Sequence, residues 1–331
     1  MVLTSLLPIR ILPPGPRQKE ATERRHIWPA WSVKPYCFWR GKGMAADNLY
    51  LGTCSWKYPS WHGLVYSAPE PENYLEEYAR VYNTVEVDQW FWSLFPGAKI
   101  KLPEEKTVHE YAESVPEDFR FTVKVPNSIT LTHYYQRHKG EGLEENPQFL
   151  SPELFARFME TMDPLKGKIG ALIFQFEYLN KAKMAGLPAF LEKMERFFDA
   201  VPRDVACLVE TRNQNYLRDE YFSFLNRMDL GHVFLQGYYM PDITETYLSF
   251  QGLIRKMTML RLHGYERDDM EKRTGKKWDR IIENRDDDLK NIAAMVRDLL
   301  GRKIVTYLNV NNHYEGSAPL TIKKLEALLA G

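Results

Sequence analysis

Eight short apolar runs recur along this chain, beginning at Leu49, Thr84, Phe119, Ile169, Val205, His232, Met257 and Ile304, each followed by a helix-like stretch. Seven of the eight end in polar residues, among them Asp88-Gln89, Gln175-Phe176-Glu177, Glu210-Thr211-Arg212-Asn213, Arg261-Leu262-His263 and Asn309-Val310-Asn311-Asn312. This rhythm constrains the chain more than any other feature. Eight strand-then-helix units predict an α/β fold, a (β/α)8 parallel barrel of the TIM type. The C-terminal strand ends of such a barrel share one mouth, where active sites sit.

The chain has 331 residues, and Lys+Arg and Asp+Glu both count 44, so its formal net charge is zero. Zero net charge removes any global pull toward nucleic acid or anionic membranes. Three cysteines (Cys37, Cys54 and Cys207) are too few and too odd for a disulfide framework and fit a reducing cytoplasm. No apolar stretch approaches the roughly 20 residues that span a bilayer, so the expectation is a soluble, cytoplasmic protein with no membrane partner. Residues 1–43 are proline-broken and basic, and read as a disordered leader or as residues ahead of a start at Met44. Residues 44–331 read as one barrel domain.

Two segments are long for connections. Pro126–Leu150 follows the third run, and the charged stretch Gly264–Asp286 follows the seventh; both are expected to cover the mouth. Ser151-Pro152-Glu153 reads as a helix start, with an N-cap, a first-turn proline and an early acid. Phe190, Leu191, Met194, Phe197 and Phe198 recur at helical spacing.

Strand alternation then sorts the polar ends. A face that turns charged only at its C-terminal end is the lumen face of a barrel buried on both sides. That places Glu210 and Arg212 inward from strand five, Gln175 and Glu177 from strand four, and Arg261 and His263 from strand seven. Strand eight adds Asn309 and Asn311, strand two Glu86 and Asp88, and strand three Lys124. Mixed charges buried together are costly unless paired, and Glu210 with Arg212 or Arg261 is the obvious pair.

Other candidates are weaker. Gly316 and Ser317, just before a helix, could turn backbone N–H groups toward an anion. Trp56, Tyr58, Trp61, Trp90, Trp92, Tyr238 and Tyr239 could form an aromatic rim for sugars or bases. Glu86, Asp88, Glu177, Glu210 and His263 could supply a divalent metal, but no metal-ligand spacing exists and the nearby cations oppose it, so no metal or other cofactor is expected. Cys54 with His263 could be a nucleophile–base pair, though a Cys beside Gly52 reads first as a packed small residue. His62, His109, His133, His138 and His232 read as surface or loop residues.

Several motifs together resemble the YecE-like family, or domain of unknown function 72. They are Gly52-Thr53-Cys54-Ser55-Trp56, Tyr82-Asn83-Thr84-Val85-Glu86-Val87-Asp88, Phe119-Arg120-Phe121-Thr122-Val123-Lys124-Val125-Pro126, Glu210-Thr211-Arg212-Asn213, Arg261-Leu262-His263-Gly264 and Glu315-Gly316-Ser317-Ala318-Pro319. The resemblance spans about Leu49 to Leu328 and implies a TIM-type barrel. The chain departs at Asp88-Gln89-Trp90-Phe91-Trp92, where many relatives carry Asn-Ser/Thr-x-Phe-Tyr, and this puts an extra acid at the mouth.

The favoured function is an enzyme of hydrolase, lyase or isomerase type, acting on a small polar ligand, anionic or sugar-like. Glu210 and Asp88 would do acid/base work, His263 would shuttle protons, and Lys124, Arg212 and Arg261 would clamp charge. Asn309, Asn311 and Asn312 would orient the ligand, with Glu86, Gln175, Glu177, Trp56, Gly316 and Ser317 completing the site. One alternative is a nucleic-acid-binding barrel using Lys272, Arg273, Lys276 and Lys277; the other is a noncatalytic ligand sensor. The sequence leaves the oligomeric state open.

Overall fold

The computed structural model describes residues 47–95, 99–135 and 142–331. The expectations for residues 1–43, Cys37, Met44 and His138 lie outside these residues. Eight parallel strands form a closed barrel: β1 (Leu49–Thr53), β2 (Thr84–Val87), β3 (Arg120–Lys124), β4 (Ile169–Gln175), β5 (Cys207–Glu210), β6 (Gly231–Gly237), β7 (Met257–Gly264) and β8 (Val305–Val310). Each strand pairs with its neighbours in sequence, and β1 pairs with β8 from Leu49↔Thr306 to Thr53↔Val310 to close the ring. Gly52 is required at the seam, since a Cβ there would lie 2.0 Å from the Thr84 carbonyl oxygen.

Two apolar regions hold the barrel. The larger lies between strands and helices, where Phe190, Leu191, Met194, Phe197 and Phe198 of helix Leu187–Ala200 are all buried. The helical spacing read from the sequence is therefore the stripe facing the sheet. Helix Pro152–Thr161 starts where expected, with Ser151 Oγ accepting from the Leu154 N–H at 3.2 Å. The second region fills the lumen: Ala171, Ile173, Leu208, Val233, Met259 and Tyr307, with Tyr50 stacked on Tyr307 at 4.6 Å between ring centroids. It is a packed plug, as the side-chain layers of this fold require.

The structure corrects two expectations. The second strand stops at Val87, and Asp88–Trp92 forms a turn held by the Phe91 N–H on the Asp88 carbonyl. His232 and His133 are buried, His232 among Tyr221, Phe222 and Phe234. The described parts of the two long excursions are anchored. In the first, Asn127 Oδ1 accepts from the Ser93 and Leu94 N–H groups, and Asn146 Nδ2 donates to the Ser128 and Leu131 carbonyls. In the second, helix Arg267–Thr274 leads to Trp278, whose N–H donates to Ser60 Oγ in the loop after β1.

Candidate functional site

One residue further along the lumen face, the apolar plug gives way to charge. Arg261 on β7 is only 1% exposed, and its guanidinium is spent on three neighbours. Nε and Nη2 donate to the two Glu86 oxygens at 2.8 and 2.6 Å, and Nη1 donates to Glu210 Oε2 and, at 3.2 Å, to Gln175 Oε1. Arg212 completes the row, its Nε 2.8 Å from Glu210 Oε1. Two arginines thus balance two buried carboxylates, the Arg261–Glu86 pair with bidentate geometry, and such hydrogen-bonded pairing is the condition under which burying charges is tolerable. Burial alone would raise the Glu210 pKa, but Arg261, Arg212 and Lys124 outweigh it and hold it at about 2. Glu210 is therefore a fixed carboxylate. Both of its oxygens are engaged by arginines, an arrangement that favours anchoring over the expected acid/base work, and Arg261 is a staple across the lumen.

Lys124, at the end of β3, differs. It is 8% exposed, and its ammonium lies 4.1 Å from the centre of the Phe91 ring. Among the described residues no carboxylate or other hydrogen-bond acceptor meets its Nζ. Burial first, then the Arg261 charge, push its pKa down, against the pull of Glu86, Glu210 and Asp88. Arg212 likewise keeps Nη1 without a partner among the described residues, its guanidinium 4.4 Å from the centre of the Tyr238 ring. Asp88 sits half-buried beside them, its pKa raised by burial and then by Glu86. Lys124 and Asp88 are thus both moved toward their neutral forms.

A third group borders the same layer. His263 Nε2 is 3.6 Å from Cys54 Sγ, and His263 Nδ1 is 3.3 Å from the Tyr238 hydroxyl. Burial, then the positive charges of Arg261, Arg212 and Lys124, lower the His263 pKa well below its ordinary value, and burial raises that of Cys54. The pair rests as neutral imidazole and neutral thiol. Ligand atoms of Cys54, Glu86 and His263 lie within 4.8 Å of one another, so these three are the residues that could hold a metal. The fit is poor: both Glu86 oxygens accept from Arg261, and Arg261 and Lys124 place positive charge beside the thiol.

The remaining candidates divide. Asn309 lies in the lumen, donating from Nδ2 to Thr122 Oγ1 at 2.9 Å, while its Oδ1 has no partner among the described residues. Glu177 is drawn to the rim by Lys183 at 2.6 Å. Asn311 Oδ1 holds the His313 N–H, and Asn312 Oδ1 caps the closing helix Ala318–Ala330 through the Ala318 N–H. At the expected anion turn the Gly316 N–H is already used, donating to the Asn312 carbonyl, while Ser317 is fully buried and its Oγ has no partner among the described residues. Trp56 is buried edge-on against Tyr111 rather than open at the rim. The cations of the second excursion are largely matched locally, Arg273 by Asp269 and Glu283, and Lys276 by Glu271. Phe91, which seats Lys124, escaped the sequence reading; its signal was an apolar residue inside the polar turn after β2.

The comparisons with known proteins agree with this architecture. The model of the family described as "Protein of unknown function DUF72" matches residues 50–331. The UPF0759 protein YecE of Escherichia coli K12 is 28% identical over 181 residues, 54% of each chain, so the chain spans about half the length of the curated relatives it matches. A DUF72 family protein from Enterococcus faecalis V583 superposes with a TM-score of 0.60 at 20% identity, over 85% of this chain and 95% of its own. Another, from Thermotoga maritima MSB8, gives 0.58 at 20% identity over 86% and 99%. At such identities the likeness concerns the fold alone. With the family model extending over all eight strands but the first residue of β1, the chain belongs to the DUF72 family.

Proposed function

We propose that the barrel mouth is the active site of an enzyme acting on a small anionic ligand by acid/base and electrostatic catalysis. The observation that carries this reading is Lys124, a nearly buried ammonium at the strand ends with no acceptor among the described residues. A buried cation with no hydrogen-bonded counter-charge is expensive. An incoming phosphate or carboxylate supplies that counter-charge, and Arg212 Nη1 offers a second open donor.

Beneath them the closed Glu86–Arg261–Glu210 row sets a fixed field, the kind of preorganisation that stabilises charge developing in a transition state. Asp88, its pKa raised by burial and Glu86, is the proton carrier in place of Glu210. Neutral His263, between Cys54 and Tyr238, relays a proton as acceptor at one ring nitrogen and donor at the other. These groups perform proton transfer beside an anionic centre, which suits lyase, isomerase or hydrolase chemistry without a metal. The local pairing of the cations in the second excursion supports a small ligand over nucleic acid.

A thermal-shift series with inorganic phosphate and small carboxylates tests this. A ligand at 100 times its Kd stabilises the native state by about 2.7 kcal/mol. Lys124→Met should remove that shift and leave the unliganded fold intact. A full shift retained in Lys124→Met sinks the proposal. Steeply salt-dependent binding of DNA or RNA, lost on neutralising Lys272 and Lys277, would put the nucleic-acid reading in its place.

A further inference from the structure

Five tryptophans lie among the described residues, and four of them (Trp56, Trp61, Trp90 and Trp278) are buried. Trp92 is the exception at 63% exposed, and beside it Tyr135 is 52% exposed. Their ring centroids are 6.1 Å apart with the planes tilted by 40°, leaving an open aromatic notch. The notch is joined to the buried cation through one residue. Trp92 packs edge-on against Phe91 at 5.3 Å, and Phe91 carries Lys124 Nζ on its face at 4.1 Å.

The backbone here is held firmly. The Phe91 N–H donates to the Asp88 carbonyl at 3.1 Å, and the Phe91 carbonyl accepts from the Asn127 N–H at 2.7 Å, tying the turn after β2 to the end of β3. Chain that is tethered on both sides and still presents an indole to water is arranged as a platform, since large exposed apolar rings are otherwise disfavoured. An indole and a phenol side by side favour the flat face of a ring, either the C–H face of a sugar or the π-face of a base.

We infer that Trp92 and Tyr135 form a stacking subsite for a ring attached to the anion held at Lys124, so that the substrate is a ring compound bearing a phosphate or carboxylate. This rests on the proposed anion site and adds the substrate class to it. Lys124 and Arg212 take the charge, and the notch takes the ring. A ringless anion fills only half of the combined site.

Calorimetric titrations of the full chain with inorganic phosphate, glucose 6-phosphate and AMP test it, on the wild type, Trp92→Ala, Tyr135→Ala and Lys124→Met. At least one ring compound should bind the wild type about tenfold more tightly than inorganic phosphate, the range expected for one stacked ring. Trp92→Ala should narrow that gap to within about threefold while leaving inorganic phosphate unchanged, with Tyr135→Ala acting in the same direction. A gap for glucose 6-phosphate alone assigns a sugar, and one for AMP alone assigns a base. Equal affinities in the wild type overturn the subsite, as does a gap that survives Trp92→Ala. If Trp92→Ala instead turns a dimer into a monomer in sedimentation with ring affinities unchanged, the notch is a contact between copies and the inference fails. If Lys124→Met leaves inorganic phosphate binding intact, the anion site is wrong; if Lys124→Met abolishes it but the ring gap is absent, only the subsite is.

Discussion

The lower and upper lumen are made by the same strands, one side-chain step apart, and they are held in opposite ways. On β7, Met259 is followed two residues later by Arg261; on β5, Leu208 by Glu210; on β4, Ile173 by Gln175; on β8, Tyr307 by Asn309. Both layers are buried, except that Gln175 is partly exposed. The lower one depends on area and shape, which are non-directional, so each side chain loses only its own contacts when removed. The upper one depends on pairing, so each charge removed leaves another stranded. Polarity at a strand end therefore carries two functions that look alike in sequence: charges consumed by one another, and charges left open to a ligand.

The largest effect should come from breaking the paired layer. Arg261→Met leaves Glu86 and Glu210 as uncompensated buried carboxylates, and should cost about 3–5 kcal/mol in urea denaturation at pH 7. That cost should shrink as the pH falls and the stranded carboxylates become protonated. Met259→Ala, one layer below, should cost about 2–5 kcal/mol by cavity formation, with no such pH dependence. Equal pH responses in the two variants would erase the distinction between the layers.

A smaller effect separates the lumen from the outer core, which excludes charge instead of pairing it. His232 is buried among aromatic rings, and burial lowers its pKa from 6.5 to about 3. Because the unfolded chain takes up that proton first, the stability associated with neutral His232 is complete above about pH 6.5 and drains away toward pH 3, at up to about 1.4 kcal/mol per pH unit. Glu210 acts in the same direction over a lower window: its folded pKa of about 2 lies below the ordinary 4.5, so its contribution is present above pH 4.5 and lost toward pH 2. His232→Phe should reduce the slope of the stability profile between pH 6.5 and 4.5 by up to about 1.4 kcal/mol per pH unit, the remaining slope coming from His263 and His313, whose pKa values burial also lowers. An unchanged slope in that interval would show that His232 contributes nothing to it.

The smallest effect should be at the open charge. Lys124→Met removes a costly buried ammonium together with its contact to Phe91, worth about 0.5–2 kcal/mol. The two terms offset, and chemical denaturation should find the variant within about 1 kcal/mol of the wild type. A loss as large as that of Arg261→Met would mean Lys124 is paired after all, and the contrast between closed and open cations would collapse.

Much of this arrangement was legible in advance. The eight strands, the lumen face of each and the convergence of Glu86, Lys124, Gln175, Glu210, Arg212, Arg261 and Asn309 all follow from apolar rhythm and period-two alternation. The roles within that set were not legible. Glu210 reads as an acid/base residue from its position, yet two arginines fix it as an anion. Asn312 and Gly316 read as donors for a ligand, yet the Gly316 N–H is consumed by the Asn312 carbonyl, and Asn312 Oδ1 serves as acceptor for the first N–H of the closing helix. Phe91 is an ordinary apolar residue in sequence, and only its place under Lys124 makes it part of the site.

The physical reason is range. Strand alternation, helix periodicity and turn chemistry are set by neighbours a few residues away, so the sequence by itself determined the barrel and the inward direction of each polar end. Pairing is set by barrel closure and register: Arg261 reaches Glu86 across 175 residues of chain and Glu210 across 51. Which arginine is spent, which lysine is left open and which aromatic ring faces water were decided only when the eight strands met in three dimensions.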